Sequence, residues 1–286
     1  MTLRRKMAIA TWAAPAEGNI YGKLTLDCTE AKKYLAHIRE TTGQKVTITH
    51  LIGKALGEAL AATPTLNGRI LFRRFIPYPS VSVSFLVALE DGKNLFKLKI
   101  DDADTKSVAD IARELRERAE RLHSKDDKQL SHMMNVLKMV PRVLLPSVLW
   151  VNGFLGGALG IDSKLMGIEK FPFGAAVITS VGMLGFDEGY APPTPFARVP
   201  ILLLVGAMKP RPVVVDGELA VRDTINIMAT IDHRFIDGYQ LGSVAKIFKR
   251  VIEDPWHMED SPPISDSVAD TNAQVLPDSS QERAVS

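Results

Sequence analysis

The stretch Asp232-His233-Arg234-Phe235-Ile236-Asp237-Gly238 joins a predicted strand to a predicted helix. Residues 225–231 before it form an apolar run typical of a strand, and residues 239–252 after it have a helical pattern that ends before Pro255. A titratable base and a carboxylate therefore stand four positions apart at a strand-to-helix junction. Because histidine exchanges protons near neutral pH, His233 is a candidate general base.

Other strands are predicted on both sides of the chain's middle. One hairpin is predicted from two alternating runs around Asp91-Gly92, which suits a tight turn. A second turn at Asp216-Gly217 leads into the strand before His233. The predicted strands are residues 81–89, 96–100, 176–181, 200–205, 212–215 and 225–231.

Two helices are predicted upstream of these later strands. Residues 51–60 carry an apolar stripe that ends before Pro64. Ser107, with Asp110 three positions on, is typical of a helix start, and apolar residues from Val108 to Leu122 recur at helical spacing. Helices and strands succeed each other without an internal repeat, which indicates a mixed α/β fold.

Composition favours one large globular domain in a reducing compartment. The 286 residues are 46% hydrophobic and 24% charged, enough to bury one large core. The single cysteine, Cys28, cannot form an internal disulfide, and no Cys/His spacing indicates a metal site. We therefore expect a cytoplasmic protein without a metal, although Arg4-Arg5-Lys6 before an apolar run faintly resembles a short export signal.

Charge is distributed unevenly along the chain. Residues 259–286 hold six acids against Arg283, a net charge of −5, which leaves +7 for residues 1–258. This mildly basic body suits phosphorylated ligands. Nucleic acid is not an expected partner, because the basic residues neither cluster in runs nor alternate with aromatic residues.

The D-H-R-x-x-D-G wording of residues 232–238 resembles the active-site signature of the dihydrolipoamide acyltransferases, the core subunits of 2-oxoacid dehydrogenase complexes. More loosely, it resembles the H-x-x-x-D-G of chloramphenicol acetyltransferase. Further similarities extend from roughly residue 4 to 255 with one interruption. They include Lys45-Val46-Thr47-Ile48-Thr49 as a strand, Pro64-Thr65-Leu66-Asn67, Val177-Ile178-Thr179-Ser180-Val181-Gly182 and Pro210-Arg211-Pro212-Val213.

The resemblance implies a chloramphenicol acetyltransferase-like fold, a mixed sheet flanked by helices. It also implies homotrimers, or larger homo-oligomers, whose active sites lie in channels between subunits. Coenzyme A or acyl-CoA would enter such a channel from one end, and a lipoyl group supplied by another chain from the other. The sequence alone does not identify the residues that contact coenzyme A. Candidates for its phosphates are Lys209, Arg211, Lys246 and Lys249.

The resemblance also assigns roles to individual residues. His233 would be the base that removes a thiol proton. Thr179 takes the position of the family's catalytic serine, with Ser180 adjacent, and keeps a hydroxyl that can stabilise an oxyanion. Asp237 would pair with an arginine, Arg4 or Arg5, and so hold the loop that positions His233. Gly238 would permit a tight helix start.

Domain boundaries follow from these patterns. We expect a catalytic domain over residues 1–258 with an apolar insertion at about 130–165, and a flexible acidic tail over 259–286. We expect no lipoyl domain and no subunit-binding domain. Residues 143–161 carry no charge, but Pro146 and four glycines favour a packed helical hairpin over membrane contact. The insertion could line a pocket for a longer acyl chain, contact lipid or join subunits.

The sequence thus predicts an acyltransferase that moves an acyl group between coenzyme A and a thiol, expected to be dihydrolipoyl, with a histidine base. A separate lipoyl carrier protein would then be a partner. One alternative keeps the chemistry but changes the acceptor to a hydroxyl or an amine. Another is a non-catalytic scaffold of the same fold. The presence of both His233 and a hydroxyl at Thr179 argues against this scaffold, which would need neither.

Overall fold

A computed structural model describes residues 18–89, 94–123, 140–141, 143–163 and 166–259. Within these ranges a seven-stranded mixed sheet has the order β1-β9-β7-β6-β4-β5, and β8 also pairs with β9. β4, β6 and β7 run parallel, and the other pairs are antiparallel. A separate hairpin joins β2 to β3. The strands are β1 (Asn19–Asp27), β2 (Gly68–Leu71), β3 (Arg74–Pro77), β4 (Val83–Leu89), β5 (Asn94–Ile100), β6 (Ala176–Ser180), β7 (Ile201–Val205), β8 (Lys209–Val215) and β9 (Glu218–Asp232).

Helices cover one face of the large sheet. The described helices are α1 (Thr29–Thr42), α2 (Ile48–Ala62), α3 (Val108–His123), α4 (Leu145–Asn152) and α5 (Gly238–Glu253). The main core lies between α1, α2, α3, α5 and the sheet, and Leu56, Ile111, Ile178 and Phe248 are among its fully buried members. Burial of these apolar side chains is the main force that holds the two layers together.

The opposite face of the sheet, called here the rear face, has a smaller core. Val177 of β6 and Leu202 of β7 pack there against Ala197 and Val199, from the segment that precedes β7. Since side chains alternate along a strand, Thr179 and Leu204 point to this rear face as well. Within the described ranges, the rear face is therefore only partly covered.

The sequence predicted most of these elements. The hairpin of β4 and β5, the helix start at Ser107 and the turn at Asp216-Gly217 are confirmed, although residues 90–93 with the first predicted turn lie outside the described ranges. The predicted strand at Lys45–Thr49 is wrong, because α2 begins at Ile48. Thr47 and His50 form a capping box there, in which His50 Nδ1 accepts a hydrogen bond from the Thr47 backbone at 3.0 Å.

The apolar tract takes an unusual local form. α4 continues into a π-helical turn over Gly153–Ala158. Within residues 143–161, α4 and this turn form one continuous helical segment, so the helical hairpin predicted there is wrong. The expected acidic tail beyond Glu259 lies outside the described ranges. None of the helices in the described part of the chain combines the length and apolarity needed to cross a membrane.

Candidate active site

His233 directly follows β9, at an edge of the sheet where backbone hydrogen bonds hold the chain. Asp232 donates its backbone N–H to Pro200 at 2.9 Å, and His233 donates its own to Gly18 at 2.8 Å. These bonds fix the backbone on both sides of the junction. The His233 side chain itself is exposed on the single chain rather than enclosed in a cleft.

The residues around His233 hold the junction in shape. Asp232 accepts hydrogen bonds from the Arg234 guanidinium at 2.9 and 3.0 Å, and this bonding raises the pKa of Arg234. Asp237 caps α5 by accepting the backbone N–H of Gln240 at 3.1 Å. Its predicted arginine partners, Arg4 and Arg5, lie outside the described residues. The Asp237 carboxylate thus fixes the helix start that follows the histidine.

The expected role of Gly238 is wrong. Its backbone lies outside the left-handed region, and no atom within 4 Å would meet an added Cβ. Glycine is therefore not required here by the fold of the single chain.

Thr179 lies on β6 between β4 and β7, with Leu86 and Leu204 as its direct neighbours. It is half-buried on the rear face. Ser180 pairs with Val205 and, by strand alternation, points to the opposite face toward the helices. The structure therefore separates the two hydroxyls, and only Thr179 shares a face with Leu86 and Leu204.

His233 and Thr179 do not meet within one chain. The register sets Thr179 level with Leu204, and Leu204 level with Met228 on β9. Asp232 lies four residues beyond Met228, about 13 Å along the strand, and His233 lies further still. The base and the hydroxyl stand at opposite ends of the sheet.

The four candidate phosphate-binding cations divide into two pairs. Lys209 Nζ lies 2.7 Å and an Arg211 nitrogen 3.7 Å from the Asp187 carboxylate, just beyond β7 at the Thr179 end of the sheet. The hydrogen bond from Lys209 lowers the pKa of Asp187. Lys246 and Lys249 lie on α5, where Lys249 faces Glu253 at 3.7 Å. Only Lys209 and Arg211 gather at one end of the rear face.

Two polar residues that sequence reasoning missed lie close to these features. Asn226, fully buried in β9, accepts a hydrogen bond from the Thr25 hydroxyl at 2.9 Å and donates to Glu188 at 3.3 Å. Arg198 stands two residues before Pro200, which binds the His233 junction. A lone amide inside the apolar run 225–231 is a sequence signal for Asn226. Arg198 follows no comparable pattern.

Within the described ranges, no group of three or more His, Cys, Asp or Glu side chains is placed to bind a metal ion. Cys28 is fully buried, and burial raises the pKa of its thiol to about 12. A thiol of this kind is a weak nucleophile and a poor metal ligand.

Comparisons with known proteins identify the family and the fold. The family model for the catalytic domain of 2-oxoacid dehydrogenases acyltransferase matches residues 4–134 and 163–259. A lipoamide acyltransferase component of the branched-chain alpha-keto acid dehydrogenase complex from Bacillus subtilis is 25% identical, over 75% of this chain and 41% of its own length. A dihydrolipoyllysine-residue succinyltransferase component from Saccharomyces cerevisiae is 27% identical, over 79% of this chain and 40% of its own. The chain thus spans about two fifths of the length of these curated relatives.

Solved structures share the fold. A probable dihydrolipoamide acetyltransferase from Listeria monocytogenes superposes with a TM-score of 0.63 at 22% identity, covering 88% of this chain and 89% of that one. A dihydrolipoamide acetyltransferase from Azotobacter vinelandii gives 0.60 at 21% identity, covering 90% and 87%. The predicted fold class, a mixed sheet flanked by helices, is confirmed.

Proposed function

The chain belongs to the family of 2-oxoacid dehydrogenase acyltransferase catalytic domains, and from this we propose that it transfers acyl groups between coenzyme A and a dihydrolipoyl thiol. The observation that carries the proposal is the strand register. His233 sits at one end of the sheet and Thr179 at the other. A site that needs both must take His233 from one copy of the chain and Thr179 from a neighbouring copy.

In this site His233 acts as the general base. Its imidazole accepts the proton of the dihydrolipoyl thiol, and the sulfur attacks the carbonyl carbon of acyl-CoA. A new carbon–sulfur bond forms as the carbonyl oxygen becomes an oxyanion. When the intermediate collapses, the bond to the coenzyme A sulfur breaks, and that sulfur takes the proton back from His233.

Thr179 of the neighbouring copy stabilises the oxyanion. Its hydroxyl lies on the rear face between apolar neighbours, where few competing water molecules weaken a hydrogen bond. Asp232, Arg234 and Asp237 are positioning residues, because Asp232 and Arg234 bind each other and Asp237 caps the start of α5.

Substrate binding is proposed from the charges at the Thr179 end. Lys209 and Arg211 offer cations to the phosphates of coenzyme A, and Asp187 orders them. We propose that a separate lipoyl carrier protein supplies the dihydrolipoyl group. The buried Cys28 is compatible with a reducing cytoplasm.

Assembly into trimers is part of the same proposal. The hairpin of β8 and β9 exposes three large apolar side chains: Val214 is 73% exposed, Leu219 78% and Val221 73%. Exposed apolar clusters of this kind favour contact with another chain. The hairpin lies at the Thr179 end of the sheet, so a neighbouring copy that covers it would bring its own His233 toward Thr179.

The first test is release of free coenzyme A from acyl-CoA with dihydrolipoamide as acceptor, comparing wild type with His233→Gln. We expect the variant to lose at least about a hundredfold in kcat, because general-base catalysis contributes about 10²–10⁴-fold. Its melting temperature should stay unchanged, since the side chain is exposed. Equal turnover by the two proteins would rule out His233 as the base, and turnover only with a hydroxyl or amine acceptor would reassign the substrate.

A further inference from the structure

An open groove of about 470 Å³ lies between α4 and the segment that precedes β7. This volume falls in the range of about 300–1,000 Å³ that is typical of small-ligand sites. The α4 residues belong to the apolar tract, which the family model leaves unmatched between residues 134 and 163. The walls of the groove include Leu149, Trp150, Val151, Pro195, Phe196 and Arg198.

Arg198 supplies the groove with a polar group among apolar walls. Its Nε is buried and has no hydrogen-bond partner among the residues that the structure describes. Its guanidinium carbon lies 5.7 Å from the centre of the Phe154 ring. Burial, together with the nearby charge of Arg234, lowers the pKa of Arg198. Nε itself is closed to a ligand, but Arg198 lines the groove, so its cationic guanidinium offers other N–H donors to a ligand oxygen there.

The groove wall is fixed to the domain. A Cβ on Gly153 would come within 2.7 Å of the Phe196 backbone oxygen, and one on Gly156 within 2.5 Å of the Glu169 oxygen. Trp150 and Phe154 stack with ring centres 5.3 Å apart and planes 2° from parallel. Such close contacts hold the apolar tract against the body, so its inner side forms a preshaped wall.

The groove lies at the His233 end of the sheet. Arg198 is two residues from Pro200, whose carbonyl accepts the N–H of Asp232 next to His233. The positive charge of Arg234, next to His233, lies near enough to help lower the pKa of Arg198. A ligand whose polar head lies near Arg198 therefore reaches toward the proposed transfer site, while its apolar part lies along α4.

From these contacts we propose that the groove binds the aliphatic chain of a medium-chain acyl group, with the Arg198 guanidinium donating to the carbonyl or carboxylate oxygen at its head. The inference rests on the proposed acyl transfer for its meaning and extends it to the class of acyl group. Apolar walls bind methylenes, and one guanidinium among them suits a ligand with a single polar head.

The test measures binding without any transfer step. Trp150 fluorescence is followed while the whole protein is titrated with acetate, hexanoate, octanoate and decanoate, and then with octanoyl-CoA. Affinity should rise about threefold to fourfold for each added methylene. Trp150→Phe identifies the part of the signal that comes from the groove.

Two variants locate the site. Arg198→Gln should weaken octanoate binding at least about tenfold, and Ser147→Phe, an exposed α4 position that lines the groove, should block it by filling space. Arg113→Gln, on the exposed side of α3, is the matched control and should bind as wild type does. Because Ser147 is exposed, its variant tests the groove even if Arg198→Gln fails to fold.

Several results would overturn the inference. These are affinity that does not depend on chain length, unchanged binding by both groove variants, or binding to phosphatidylglycerol vesicles but not to soluble octanoate. A change of sedimentation coefficient in Ser147→Phe without any fatty-acid binding would assign the groove to a subunit contact instead. Octanoate binding by a protein without transferase activity would refute the proposed function but leave the groove assignment intact.

Discussion

At the scale of single residues, His233 is exposed and Thr179 is half-buried, while hydrogen bonds hold the backbone that carries them. The His233 ring is exposed, whereas its backbone N–H and that of Asp232 are fixed by Gly18 and Pro200. Thr179 is likewise held by a central strand of the sheet. Such an arrangement keeps the backbone rigid and leaves the functional groups available to a second molecule.

Substitutions at Thr179 separate its hydroxyl from its shape. Thr179→Val keeps the volume but removes the donor, so kcat should fall about 10²–10³-fold. Thr179→Ser keeps the donor and should retain activity within about tenfold of wild type. Steady-state kinetics with acyl-CoA and dihydrolipoamide make the comparison. A valine variant as active as the serine variant would remove Thr179 from the oxyanion site.

The half-buried histidine of α2, His50, makes stability depend on pH. Burial lowers the pKa of His50 to about 4, below the value of about 6.5 in an unfolded chain. The unfolded state therefore binds the proton first, and the free energy of unfolding should fall as pH drops below about 6.5. Between pH 7.5 and 5.0 the loss through this group should be about 2 kcal/mol.

His50→Gln is the control, because glutamine at this position also accepts the Thr47 backbone N–H but does not titrate. Urea unfolding at both pH values, at one protein concentration, gives the free energies. The variant should show a pH dependence about 2 kcal/mol smaller than wild type. Identical pH dependence in the two proteins would show that His50 is not the titrating group.

At the scale of elements, sequence patterns predicted the apolar strands and amphipathic helices because their periodicity reflects the core directly. The wrong strand at residues 45–49 shows the limit of that reading. Its β-branched residues favour an extended backbone, but the capping pair of Thr47 and His50 starts a helix inside it. β1 was missed because only Leu26 is buried along it, so its alternation is weak.

A glycine in α2 tests the packing of elements. A Cβ at Gly57 would lie 2.7 Å from the backbone carbon and oxygen of Ala103. Gly57→Ala should lower the free energy of unfolding by about 1–3 kcal/mol despite alanine's better helix propensity. Gly242→Ala on α5, where nothing lies within 4 Å, should instead raise it by up to about 1 kcal/mol. Urea unfolding of both variants decides, and a stabilised Gly57→Ala would contradict the close packing.

At the scale of the whole molecule, the motif at residues 232–238 predicted the candidate base, but no sequence pattern gives the distance between His233 and Thr179. That distance depends on strand order and register, in which β6 and β9 are separated by β7. Arg198 and the groove were missed for the same reason, since distant segments create them. Only the folded chain shows that His233 and Thr179 of one copy lie at opposite ends of the sheet.

The most direct measurement is the activity of mixed oligomers made by co-expressing His233→Gln and Thr179→Val chains with different tags, and purifying on both tags in turn. Each variant alone should be inactive. In a mixed trimer one interface of the three pairs an intact His233 with an intact Thr179, so about a third of wild-type activity should return. Mixed trimers as inactive as the separate variants would contradict a transfer site shared between copies.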